Sequence, residues 1–216
     1  MHTALRFAFL LAALTFAFDA AAQKPEGYYL NAVNSVNAGD FDQAFGELNK
    51  ALELDPHHPQ SRILRAYLFL KAGDKEKAAE DYSAALISAP GDLGALTNRA
   101  LIYMEFEEYE KAEKDLRERL KGDPHNWMAS YDLAYCFGLM GKYDQAIQGF
   151  DEVITRKPDY AEAYLNRAFA RYNKHSNGGL TPPGADTMEL VCADFQQAAA
   201  MGSEEAREAM ENYCAE

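Results

Sequence analysis

The chain has 216 residues, 48% apolar and 25% charged, which suits a globular protein with its own core and excludes global disorder. Its net charge of -13 repels phosphate backbones and anionic lipid, so nucleic acid is not an expected partner.

Residues 1–22 differ from the rest of the chain. His2 and Arg6 precede an apolar run from Phe7 to Phe18, which ends in the small residues Ala20, Ala21 and Ala22. This is the pattern of a secretory signal peptide with cleavage between Ala22 and Gln23. The apolar run falls short of the ~20 residues that span a bilayer, and no later stretch is apolar enough to do so. No cysteine marks the site for lipid attachment. An exported protein is expected, periplasmic or secreted, with no integral membrane span.

From Pro25 onward the chain repeats. Pro56, Pro90, Pro124 and Pro158 each lie 34 residues after the last. Ala32, Ala66, Ala100, Ala134 and Ala168 keep that step, as do Ala44, Ala78, Ala112 and Ala146. Leu48, Tyr82, Leu116 and Phe150 form a bulky column, and Phe41, Tyr109 and Tyr143 another, broken by Lys75. Gly39, Gly73 and Gly141 mark a turn that holds Glu107 in the third copy. Small residues let two helices approach, bulky ones fill the space between helix pairs, glycine permits a tight turn and proline stops a unit. The copies fall at about 25–56, 59–90, 93–124 and 127–158, with a fifth from 161.

This pattern resembles the tetratricopeptide repeat, a 34-residue helix-turn-helix unit. The resemblance implies an all-α, right-handed superhelical solenoid of about five repeats with a C-terminal capping helix. The family's first-helix aromatic is met by Tyr28 and Tyr164, while Arg62, Leu96 and Ser130 replace it in the middle copies. Residues 23–174 would hold four repeats and the first helix of the fifth.

The fifth copy departs from the rest. After a first helix from Ala161 to about Lys174, the turn stretches over residues 175–184 with Pro182 and Pro183, and a second helix resumes near Ala185. A tolerated insertion is the simple account, since extra loop length costs little entropy. A lip over one end of a groove is the alternative. Ser203 then starts a helix to about Tyr213, with acids in its first turn and one apolar face, suited to closing a solenoid.

Cys192 and Cys214 flank Gly202, a plausible turn between the last two helices, and an antiparallel hairpin there would bring them together. In an oxidising compartment they are expected to form a disulfide contributing about 3 kcal/mol. Cys136, amid apolar neighbours, is read as a buried thiol. His57, His58 and His125 fall in turns between repeats and lack converging ligands, so no metal is expected. The charged stretch from Glu105 to Lys121 reads as a solvated helix face. No phosphate loop, nucleophile elbow or His-Glu-x-x-His pattern occurs, so neither enzyme activity nor a cofactor is expected.

In this family the first helix of each repeat lines an inner groove. Carried over, that places Tyr29, Val33, Ile63 and Tyr67 on the groove in the first two repeats. Thr97, Leu101, Tyr131, Tyr135, Leu165 and Phe169 line it in the next three, with Asn98 and Asn166 near that face. Some family members grip a peptide's terminal carboxylate with lysines and asparagines. Asn98 matches part of that set, but Tyr29 and Val33 stand where a lysine and a second asparagine belong. The lining suits a peptide held by apolar anchors, although packing between first helices also accounts for part of it. The expected role is a monomeric, non-enzymatic scaffold of the cell envelope that binds another protein or peptide. A structural, assembly or accessory-subunit role is the alternative.

Overall fold

The computed structural model describes residues 24–176 and 181–214. The expected leader, residues 1–22, and the centre of the stretched loop, residues 177–180, lie outside the described residues. The described residues form eleven α-helices and no strand.

Two compact units divide between Ala95 and Leu96, inside α5 (Leu93–Glu105). The first unit holds two helical hairpins, α1 (Pro25–Ala38) with α2 (Phe41–Leu54) and α3 (Pro59–Lys71) with α4 (Lys75–Ser88). The second holds the body of α5 with α6 (Tyr109–Gly122), and α7 (Trp127–Leu139) with α8 (Tyr143–Arg156). It closes with α9 (Ala161–His175), α10 (Ala185–Ala200) and α11 (Glu204–Tyr213).

Local chemistry sets the helix ends. His58 Nδ1, Asp92 Oδ1 and Asn126 Oδ1 accept the N–H of Ser61, Ala95 and Ala129 at 3.3, 2.8 and 2.8 Å, capping α3, α5 and α7. Asp40 and Asp74 cap α2 and α4 in the same way. The turns within hairpins need a left-handed residue, and Gly39, Gly73 and Gly141 supply it at φ 79°, 82° and 71°. Glu107 takes the same conformation at φ 59°, the one non-glycine among the described residues to do so.

Every alanine of the two 34-residue columns is fully or almost fully buried, and Leu48, Tyr82, Leu116 and Phe150 are buried beside them. Deep alanines let the paired helices approach, and the bulky column then fills the hairpin interior. Phe41 departs from its expected packing role and is 47% exposed at the start of α2. The charged stretch departs in one respect. Glu113–Arg117 and Glu118–Lys121 pair along its exposed face, but Asp115 is buried at 3% exposure. There Arg99 holds it with two hydrogen bonds of 2.7 Å.

In the fifth hairpin, α10 returns Phe195 and Ala198 to the buried positions. Ser203 Oγ accepts the N–H of Ala206 and starts α11, whose Ala206 and Ala209 bury against Leu165, Val191 and Phe195. Cys192 and Cys214 are joined by a disulfide that closes α10 onto the end of α11. Cys136 is buried as a free thiol.

Candidate functional site

In the first unit, Tyr29, Val33 and Ile63 are half-buried and Tyr67 is exposed. Tyr29 packs on the His58 ring, with centroids 6.0 Å apart, and joins the core around Ala32, Ala44 and Leu48. Tyr67 points outward with Lys71 Nζ 5.5 Å from its ring centroid. A hollow of this unit is lined by Ala38, Gly39, Asp40, Phe41 and Asp42, away from these four side chains.

The second unit differs. Leu101 on α5 and Tyr135 on α7 stand at the same step of successive repeats, and both stay exposed, at 39% and 40%. With Leu139 and Tyr131 they line a shallow hollow of about 510 Å³ between the first helices. Two smaller hollows continue it, one past Thr97 and Met128 and one past Asn166 and Phe169 toward α9. The three share Leu101, Tyr131, Tyr135 and Leu139 between neighbours, so they form one apolar strip across α5, α7 and α9.

Several expected lining residues are also engaged in packing. Tyr131 is half-buried among Phe150, Tyr135 and Tyr160, with ring centroids 5.0–6.3 Å apart, and its hydroxyl accepts a 2.9 Å hydrogen bond from Asn166 Nδ2. That contact pins α7 to α9, and burial pushes the Tyr131 phenol above its usual range. Leu165 is buried. It is 5% accessible in the core with Val191 and Phe195. Phe169 is half-covered by Phe195 and by Tyr213 of the closing helix, 5.1 and 6.3 Å away.

Leu139 and Asp132 are among the lining residues that were not expected. Asp132 on α7 lies beside Leu101 and Tyr131 in two of the three hollows. It falls 34 residues from both Asn98 and Asn166, so the repeat step itself was the signal that could have found it. Its carboxyl makes no hydrogen bond or ion pair among the described residues, and burial alone pushes its pKa up to about 6. Among the described residues no group of three or more His, Cys, Asp or Glu side chains is placed to hold a metal ion. No described helix is long and apolar enough to cross a membrane.

Hairpins of this size, alanine-packed and stepped by 34 residues, match known sequence families. Two family models, both described as tetratricopeptide repeat, match residues 29–92 and 103–168. The chain belongs to the tetratricopeptide repeat family. Tetratricopeptide repeats are protein-interaction modules, and the strip on α5, α7 and α9 lies on the first helices of three such repeats. Among solved structures, YrrB is described as a tetratricopeptide repeat protein with an unusual peptide-binding site. It matches with a TM-score of 0.79 at 17% identity, over 92% of this chain and 98% of its own. The MamA protein matches at 0.70 and 21% identity, over 88% and 94%. A structure from the functional characterization of Pseudomonas aeruginosa pilF matches at 0.57 and 24% identity, over 87% and 97%. These likenesses show the fold. A comparison with proteins of curated function finds no match.

Proposed function

We propose that this tetratricopeptide repeat protein binds an extended or helical segment of another protein along the strip formed by α5, α7 and α9, without catalysis of its own. The observation that carries this reading is the pair Leu101 and Tyr135. Large apolar side chains at equivalent steps are left 39% and 40% exposed over one hollow, where burial against a partner gains free energy that solvent does not offer. Side chains of a bound segment spaced along an apolar strip are the usual anchors of such recognition. The description of YrrB as holding a peptide-binding site supports the same use of this fold. Within the first unit by itself, Tyr29, Val33, Ile63 and Tyr67 are proposed to take part in binding, and Asn98 and Asn166 would supply amides at the polar edge of the strip.

We place the protein outside the cytoplasm, in the cell envelope or beyond. The composition of residues 1–22 and the Cys192–Cys214 disulfide both favour export. A monomer is favoured by α11, which covers the last core surface with Ala206 and Ala209 and turns charged residues outward.

The test is affinity capture from envelope extract with the wild type and with Leu101→Ala plus Tyr135→Ala. Both substitutions are at exposed positions, so the melting temperature should hold while the captured partner is lost. Equal capture by the two proteins would sink the proposal.

A further inference from the structure

The strip holds one side chain that apolar packing does not explain. Asp132 stands among Leu101, Tyr131 and Tyr135 at the step that Asn98 and Asn166 occupy in the neighbouring repeats. Among the described residues the buried acids are all answered by arginine: Asp81 by Arg62 and Arg65, Asp115 by Arg99, and Asp194 by Arg167 and Arg171. Asp132 has no such partner among the described residues. A half-buried carboxylate without a counter-charge is unfavourable, and its raised pKa reports that.

In the larger hollow the other charges share its sign. Glu105 and Glu107 line the same hollow, and no lysine or arginine does. Glu107 holds its place in a left-handed turn at φ 59°, where the equivalent residues are glycines, so a carboxylate stands at this rim despite backbone strain. The second hollow that Asp132 lines does hold a cation, Arg119, whose buried Nη1 makes no hydrogen bond and lies 3.6 Å from Asp123, but it forms no ion pair with Asp132. Tyr135, 40% exposed in the same hollow as the acid, offers an aromatic face to a cation.

We propose that Asp132, with the exposed face of Tyr135, forms a subsite for the lysine or arginine side chain of a bound peptide, whose apolar neighbours lie on Leu101 and Leu139. The partner is therefore a basic, apolar-flanked segment, which the rim acids Glu105 and Glu107 also favour. This deepens the proposed function and rests on it.

The experiment is a selection from a random 12-residue peptide library displayed on phage, run in parallel on the purified wild type and on Asp132→Asn. The substitution changes a net charge of -13 by one unit, so general attraction for basic peptides is nearly the same on both. Wild type should enrich a lysine or arginine at one fixed place between apolar residues, and Asp132→Asn should not. The best peptide should bind Asp132→Asn about tenfold more weakly, the scale of one desolvated charge contact. Replacing its basic residue by norleucine should weaken binding to wild type equally and leave binding to Asp132→Asn unchanged. Peptides without a fixed basic residue, or the same basic preference on both proteins, overturn the subsite. If such peptides still lose binding to Leu101→Ala plus Tyr135→Ala, the proposed function stands without it. A wild type that enriches no peptide overturns both.

Discussion

Arg99 of α5 grips Asp115 of α6 through two parallel hydrogen bonds, Nε to Oδ2 and Nη2 to Oδ1, both 2.7 Å long. The pair recurs at the repeat step. Arg65 holds Asp81 at 2.6 and 2.8 Å across the same separation of 16 residues. Arg167 holds Asp194 across 27 residues, a span lengthened by the stretched loop. Each acid is buried, at 3–4% exposure, so each hairpin of this kind is locked by a bidentate pair in a low-dielectric place. Asp115→Ala strands the Arg99 guanidinium and should cost about 3 kcal/mol. Arg99→Leu with Asp115→Ala removes both charges and should cost less than that single change, as the leucine at the equivalent position 133 is already accommodated. Urea midpoints check this, and a double variant as unstable as the sum of the singles would refute the ion-pair account.

The fourth hairpin shows the alternative to that lock. Leu133 and Gly149 occupy the arginine and aspartate positions. A Cβ built on Gly149 would lie 2.7 Å from Ala134 Cβ, so α8 approaches α7 closely here because glycine is present. Gly149→Ala should destabilise by about 1–2 kcal/mol, overpacking outweighing the gain in helix propensity. Gly46 on α2 has nothing within 4 Å of its would-be Cβ. Gly46→Ala should instead stabilise by about 0.5–1 kcal/mol. Thermal melts of the two variants should move in opposite directions.

What the chain disclosed by itself stems from this periodicity. The prolines, alanine columns and turn glycines repeat because each hairpin solves the same packing problem, so the helices and their buried faces could be read directly. Asp132 was open to the same arithmetic, one step from Asn98 and one from Asn166, but a search for matching residues passes over the one that differs. The fate of Tyr131 and Phe169 was not open to it. Tyr131 is engaged by Asn166 and Tyr160, and Phe169 by Tyr213, contacts that depend on how neighbouring helices meet and that no residue spacing encodes. The Glu105–Lys121 stretch misled for a related reason. Composition shows a charged helix, while the burial of Asp115 depends on a partner 16 residues away.

Glu107 offers a test of strain held at the candidate site. Its φ of 59° is where an L side chain costs about 1–2 kcal/mol, partly offset by the lower chain entropy of a non-glycine residue when unfolded. Glu107→Gly should therefore stabilise the protein by about 1 kcal/mol, read from the urea midpoint. If Glu107 serves the rim of the hollow, the more stable variant should bind a basic peptide less well.

The disulfide and the free thiol make separable predictions. Closing a loop between residues 22 apart should contribute about 3 kcal/mol in the chain-entropy treatment. Cys192→Ser with Cys214→Ser should lower the melting temperature, and reductant should then have no further effect. Cys136 is buried, and burial, together with nearby Glu113, pushes its thiol up to about 11. The native oxidised protein should therefore resist thiol labelling near neutral pH, and take up one label when unfolded without reductant.

Asp132 sets a pH dependence whose sign can be worked out. Its carboxyl has a pKa of about 6 folded, against an ordinary value near 3.8, with burial as the cause. No ion pair offsets that burial. Tyr131, Tyr135, Glu105 and Glu107 line the hollow with it, Tyr160 faces it from the adjoining one, and Arg119 there lies against Asp123. A proton bound more tightly by the folded state stabilises it fully below the unfolded pKa, and this contribution is lost as pH rises through the folded one. Wild type should thus weaken between about pH 4 and pH 7 relative to Asp132→Asn, which carries no titrating group there. At pH 8 the variant should be more stable by about 2 kcal/mol, a figure reduced from the full shift because the carboxyl still meets solvent. At about pH 4 the two should unfold at nearly the same urea concentration. A difference that is constant with pH would mean that Asp132 is solvated like an ordinary surface acid, removing the energetic reason to expect a cation opposite it.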